Sequence, residues 1–192
     1  VSEQHQSSTP YAAAEVVAPH HQPVLISVRE DFAVAHVAAR QGKLAALQEQ
    51  AEVTLGARLP ETARVIELAG MTIVWAGPEH WLIIQPQVTG ADPSVELAKA
   101  FNGLASVVDV SDSRVIFRVS GASATAALSK GVPIDLHDRA FKRGDVAITH
   151  AAHLGFMLWR LADGQGYDLA CARTYSVDFR HWLERTCASR SA

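Results

Sequence analysis

Nine histidines, two cysteines and a scatter of acids are the groups in this 192-residue chain able to bind metal, attack a carbonyl or move a proton. A metal site needs three or four of them at ligand spacing. His20 and His21 sit in a polar N-terminal stretch, His150 and His153 flank a turn, and His36, His80, His137 and His181 stand singly. There is no HExxH and no Cys/His cluster, so no metal ligands are expected. Cys171 and Cys187 lack CxxC spacing and read as small core or surface thiols in a reducing compartment. The serines fall in turns and caps without a GxSxG elbow, and "DGQG" and "SGAS" match neither a phosphate loop nor a dinucleotide fingerprint. No residue is therefore marked as catalytic or as cofactor-binding.

The acids best placed for proton transfer, or for an amine ligand, are Asp109, Asp112, Asp135 and Asp138. Two lie before and within the "SDS" turn signal and two flank His137 in "PIDLHDRAF", so local turn capping accounts for all four. Glu79 and His80 in "GPEHWLI" are neighbours on a strand and point to opposite faces, which argues against an acid–base pair. Trp81, behind the Gly77-Pro78 turn, reads as a packing residue with its ring buried and its indole N–H on a nearby carbonyl.

The elements that would position these groups follow from periodicity. "DFAVAHVAA" suits a strand, and "GKLAALQEQAEVTLG" a helix with Leu44, Leu47, Ala51 and Leu55 on one face and Gly56 as C-cap. "RVIELAGMTIVWAG" reads as two strands joined at Ala69-Gly70, and "HWLIIQP" as a third. Asp92-Pro93 starts a helix with Leu97, Phe101 and Leu104 inward, followed by a strand at 105–110. "VVDVSDSRVIFRVSG" predicts a hairpin about "SDS"; Ser120 caps a short helix through Leu128, and "VAITHAAHLGFMLWRL" and "GYDLACA" supply three more strands. Tyr175, Phe179, Trp182 and Leu183 line the face of a terminal helix.

The two parts repeat. "ARQGKLAAL" corresponds to "VSGASATAAL" and "RVIELAGMTIVW" to "AITHAAHLGFMLW", a register that sets Trp75 opposite Trp159. The expected class is α+β: two pseudo-repeated halves of antiparallel sheet with helices on one side, over 24–110 and 111–192, together one compact unit. Residues 1–23, polar and rich in Ser, Gln, Ala and Pro, are expected to form a loose arm.

Seventeen basic against twenty acidic residues give a formal charge of −3, which argues against a nucleic-acid or membrane-surface binder. No apolar run is long enough to span a bilayer, and the start lacks the pattern of a secretory signal. The feature that capping and turns leave unexplained is apolar. In Phe156-Met157-Leu158-Trp159 both faces of a strand are hydrophobic, and the terminal helix adds Tyr175, Phe179 and Trp182. Such a strand is either central and covered or covered by another chain. Phe156, Leu158, Trp159, Tyr175, Phe179 and Trp182 are the candidate partner-interface residues, and an apolar interface of this kind predicts poor solubility or self-association for the chain alone.

The ordered set "LGARLPETA", "WAGPEHWLI", "VVDVSDSRVIFRVSG", "LSKGVPIDLHDRAF", "LWRL" and "YDLACARTYSVDFRHWL" resembles the gamma subunit of heterotetrameric sarcosine oxidase over residues 28–186. The resemblance implies a fold similar to the folate-binding domains of the glycine cleavage T-protein. It further implies a non-catalytic cytoplasmic subunit with no cofactor of its own, partnered by larger alpha and beta subunits and a small delta subunit. Those other subunits would hold FAD, FMN, NAD and tetrahydrofolate and convert sarcosine to glycine, with hydrogen peroxide and formaldehyde or 5,10-methylenetetrahydrofolate as products. Two other readings compete: a stand-alone folate-binding aminomethyltransferase in which Asp109 or Asp135 orients the ligand, and an accessory protein acting through Cys171 or Cys187.

Overall fold

The computed structural model describes residues 14–16, 24–30, 32–87 and 92–188. Its first helix, α1 (Leu44–Leu55), buries Leu47 and Ala51 and ends at Gly56, whose φ of 77° lets its N–H turn back onto the Glu52 carbonyl at 3.1 Å. α2 (Pro93–Ala100) begins as its sequence dictates: Asp92 accepts from the Ser94 N–H at 2.9 Å, and Pro93 takes a position with no helical N–H to lose. α3 (Ala124–Leu128) is shorter than expected and starts after Ser123, not Ser120, which is the last residue of a strand. α4 (Ser176–Ala188) buries Phe179, Leu183 and Cys187.

Eleven strands are described: β1 (Ala14–Val16), β2 (Val24–Val28), β3 (Phe32–Ala39), β4 (Val65–Leu68), β5 (Met71–Gly77), β6 (His80–Pro86), β7 (Ala105–Asp109), β8 (Arg114–Ser120), β9 (Val146–Ala151), β10 (Leu154–Arg160) and β11 (Gly166–Ala172). They form two antiparallel sheets, ordered β1-β2-β8-β11-β10-β9 and β4-β5-β6-β3-β7. Three apolar layers set their arrangement. Leu47, Ala51, Leu97 and Phe101 of α1 and α2 pack on Val37, Ile73, Trp81 and Ile83 of the second sheet. Leu128, Phe179 and Leu183 of α3 and α4 pack on Phe117, Phe156, Leu158 and Leu169 of the first. Val34, Val74, Leu82 and Ile84 meet Ile116, Met157, Trp159 and Ala170 between the sheets. The order is helices, sheet, sheet, helices, each sheet carrying helices on one side as the sequence predicts.

The repeat is real, and closed by an exchange. Strand, helix, three-strand meander and helix recur as β3-α1-β4-β5-β6-α2 and β8-α3-β9-β10-β11-α4, with matching sheet order. Beside β3 lies β7, which follows α2; the equivalent place beside β8 is filled by β2, from the other end of the chain. The expected first half, 24–110, includes β2, which pairs with β8 in the sheet of the second half. β1 extends that edge by pairing with β2, so residues 14–16 of the expected arm are a strand. The rest of that arm lies outside the described residues.

Two local expectations fail, one in the choice of a strand's neighbour and one in register. "SDS" is not a hairpin: Ser111–Ser113 form a 3-10 turn carrying the chain from β7 in one sheet to β8 in the other. Ser111 Oγ accepts from the Val34 N–H at 2.9 Å, tying the crossing to β3. Trp75 and Trp159 are not equivalent either. The β4–β5 and β9–β10 turns each hold two residues, so Trp75 matches Leu158, and a slip of one residue reverses the face. Trp75 pairs across the ladder with Trp81 on the helix side, whereas Trp159 faces the opposite sheet.

Candidate functional site

The six residues expected at a partner interface are instead mostly interior. Phe156 is 3% exposed, and Leu158, Trp159 and Phe179 are completely buried. Phe156 and Leu158 face α4, where the Phe156, Phe179 and Trp182 rings stand 5.0–5.7 Å apart by centroid, while Met157 and Trp159 face the second sheet. The strand is greasy on both sides because it lies within a two-sheet sandwich, the covered position allowed by its pattern. Tyr175 and Trp182 alone of the six keep partial exposure, and the Tyr175 hydroxyl donates to the Gly155 carbonyl at 2.5 Å. The expectation of poor solubility loses its basis with this burial. The exposed large apolar side chains, among them Val53, Val108, Ile148 and Val177, come from different elements.

Trp182 borders a groove of about 810 Å³ between α4 and the β9–β10 turn, lined also by Lys130, Leu154, His181 and Arg185. The turn beside it is unusual, with Ala152 at φ 48° and His153 at φ 67°, two successive residues with Cβ atoms in the left-handed region.

The reactive groups do not converge. Asp109 accepts from the Ser111 N–H at 2.9 Å and its hydroxyl at 2.5 Å, Asp135 from the His137 N–H at 2.9 Å, and Asp138 from Arg160 at 2.7 Å. Asp109 and Asp135 close local turns, as the capping argument expects. Among the described residues no three His, Cys, Asp or Glu side chains are grouped to hold a metal. Both cysteines are free and buried; burial pushes Cys171 up to about 12 and Cys187 up to about 11, so neither thiol ionises near neutral pH. Burial of both thiols counts against the accessory reading, which needs a reactive cysteine. Among the described residues no helix is long and apolar enough to cross a membrane.

"GPEHWLI" is a corner. Trp81 is buried against α1 and α2 and donates its indole N–H to the Pro60 carbonyl at 2.8 Å. Gln48 of α1 holds the same loop by both ends of its amide, receiving the Leu59 N–H at 2.7 Å and donating to the Leu59 carbonyl at 2.9 Å. Glu79 takes the turn position at φ 61°, and His80 turns away to His36 of β3, Nδ1 to Nε2 at 3.2 Å with the rings 15° from parallel. Partial burial, then His80 and Arg114, hold His36 below the ordinary histidine value. This pair depends on β3 lying beside β6, which nothing local in the sequence specifies.

Sequence reasoning also missed a buried charge. Asp168 of β11 has no exposure and sits across the ladder from Arg118 of β8. Arg118 donates Nε to Oδ1 at 2.8 Å and Nη2 to Oδ2 at 2.9 Å, and Arg29 Nη1 reaches Oδ2 at 3.1 Å. The carboxylate raises Arg118 above its ordinary value. The cluster lies at the mouth of the inter-sheet layer, beside a cleft of about 290 Å³ bordered by Glu67, Met71, Thr72 and Gln85. Its signal was present: "RVIFRVS" sets Arg118 on the same face as Ile116, and "GYDLACA" sets Asp168 on that of Ala170.

Comparison with known proteins fits this architecture. The heterotetrameric sarcosine oxidase of Corynebacterium sp. U-96, solved with pyrrole 2-carboxylate, contains a chain that superposes with a TM-score of 0.75 at 23% identity, covering 91% of each chain. The glycine cleavage system aminomethyltransferase T of Bartonella henselae superposes with a TM-score of 0.60 at 13% identity, over 82% of this chain and 44% of that one. Both show the fold. In sequence, the sarcosine oxidase subunit gamma of Corynebacterium sp. (strain P-1) is 31% identical over 88% of this chain and 84% of its own. That of an Arthrobacter species is 33% identical over 67% and 64%. The model of the sarcosine oxidase, gamma subunit family matches residues 20–189, and the chain belongs to that family.

Proposed function

We propose that this chain is the gamma subunit of a heterotetrameric sarcosine oxidase and that its role is assembly, not catalysis. The observation that carries the reading is the family match across residues 20–189, joined to near full-length similarity to a curated gamma subunit. The chemistry agrees: Asp109 and Asp135 close turns, Asp138 pairs with Arg160, both thiols are buried, and the largest side chains are committed to the chain's own core. In this reading alpha, beta and delta subunits hold FAD, FMN, NAD and tetrahydrofolate in the cytoplasm. They oxidise sarcosine to glycine, releasing hydrogen peroxide and formaldehyde or 5,10-methylenetetrahydrofolate. The contribution of this chain is a rigid four-layer body whose outer surfaces, and not its aromatic strand, meet the partners.

The likeness to an aminomethyltransferase favours a second reading, a stand-alone folate-binding protein. Titration of the purified chain with a reduced folate separates the two. The assembly role predicts no saturable binding, and micromolar binding with aminomethyl transfer would replace it with the alternative.

A further inference from the structure

Where β10 ends, a buried guanidinium has donors to spare. Arg160 lies on the helix-facing side of the first sheet and is 8% exposed. Its Nη1 donates to Asp138 Oδ1 at 2.7 Å and to the Phe141 carbonyl at 3.0 Å. Its buried Nε has no partner, and its Nη2 makes no hydrogen bond among the described residues. The Tyr167 ring stands 5.9 Å from Cζ and restrains the guanidinium plane.

These groups line a cleft of about 620 Å³ shared with Thr125, Gln165 and Gly164. The Tyr167 and Thr125 hydroxyls are 2.8 Å apart, and only one of their two protons can lie between the oxygens, so the other is free to donate. Arg143 stands at the rim against Gly164, close enough that a Cβ there would lie 2.5 Å from its Nε. Arg143 forms no ion pair among the described residues. Asp163, in the same loop, spends Oδ1 on the Gln165 N–H at 2.8 Å. Asp138, whose side chain is 74% exposed, is held below the ordinary carboxylate range chiefly by its hydrogen bond from Arg160, with a smaller contribution from Arg143.

The unused donor on Nη2 can take an acceptor from outside the chain, and a planar acceptor suits a guanidinium edge. We propose that this cleft binds a carboxylate, which accepts from Arg160 Nη2 and the Tyr167–Thr125 hydroxyl pair while Arg143 closes the rim. A dianion such as phosphate is a poorer fit, because Asp138 already occupies one side of Arg160. The carboxylate belongs either to a small organic acid or to an acidic side chain or C-terminus of another subunit. The site stands whether or not the chain serves in an oxidase.

The test uses the full chain labelled with ¹⁵N, titrated with sodium acetate against sodium chloride at equal ionic strength. A saturable shift of the Arg160 Nε–H resonance with acetate alone is the expected result. Arg143→Gln should weaken acetate by about threefold, as loss of a rim charge does. Tyr167→Phe should weaken it by about tenfold through loss of a hydroxyl donor, with the circular dichroism unchanged. In the purified complex, acetate without effect on Arg160 identifies a partner's carboxylate already seated, and a retained titration identifies a free acid. The proposal is overturned if acetate moves Arg160 no more than chloride does in the free chain, or if both variants bind acetate as the parent does.

Discussion

Arg118 grips both oxygens of Asp168 from the adjacent strand, and Arg29, the residue that follows β2, adds a third contact, so one fully buried carboxylate ties the end of β2 to the second repeat. The same β2 fills the sheet position that β7 fills in the first repeat. The charge cluster thus secures the exchange that makes two repeats one body.

Removing the carboxylate should be expensive. Asp168→Ala removes three charge-assisted hydrogen bonds but leaves two guanidiniums that are 26% and 38% exposed beside a cleft, and it is expected to cost about 2–3 kcal/mol. Urea denaturation measures it. A loss below about 1 kcal/mol would mean that the cluster is solvated like a surface pair.

Trp81 and Gln48 fix one loop from two elements, and each can be probed without emptying the core. Trp81→Phe keeps most of the buried ring but orphans the Pro60 carbonyl, with an expected cost of about 1–3 kcal/mol. Gln48→Leu removes both bonds to Leu59 and should cost a similar amount. Increased proteolysis within residues 57–63 would accompany either change.

His36 gives a pH dependence whose sign is fixed. Its folded-state pKa lies below the ordinary value of 6.5, so the unfolded chain takes up a proton more readily than the folded one. The contribution is complete above 6.5 and is lost as pH falls from there through the depressed folded value. Stability measured from pH 7.5 down to pH 5 should decline in the parent and decline less in His36→Gln; equal slopes would remove His36 as the cause.

Both cysteines should be silent to thiol reagents. With Cys171 pushed to about 12 and Cys187 to about 11, the native chain should react with Ellman's reagent only as fast as it opens, and two thiols should appear in denaturant. Rapid labelling of either thiol under native conditions would contradict their burial.

What the sequence made legible was local. Gly56 and the Asp92-Pro93 pair mark helix ends through backbone geometry alone, and the structure places the ends there. Trp81 declared its own packing because a large ring behind a turn has few other uses. Partners chosen across the fold were not legible. "SDS" has the same turn chemistry whether the next strand folds back or crosses to another sheet, and β2 carries no mark that it completes a distant repeat. Phe156 to Trp159 announced two covered faces correctly, but the covering agent is the chain's own second sheet and α4, which periodicity cannot distinguish from a neighbouring subunit. Arg160 reads as an ordinary strand-end arginine until Asp138, Phe141 and Tyr167 close around it.

The central claim is that this chain works as a non-catalytic member of a larger oxidase. The direct measurement is purification of the tagged chain from its native cells, followed by assays of the complex and of the chain released from it. The account predicts a flavin-coloured assembly with larger subunits that produces hydrogen peroxide from sarcosine, and a released chain that folds but turns over nothing. Sarcosine or folate turnover by the released chain, or its recovery as a lone protein from cells that oxidise sarcosine, would contradict it.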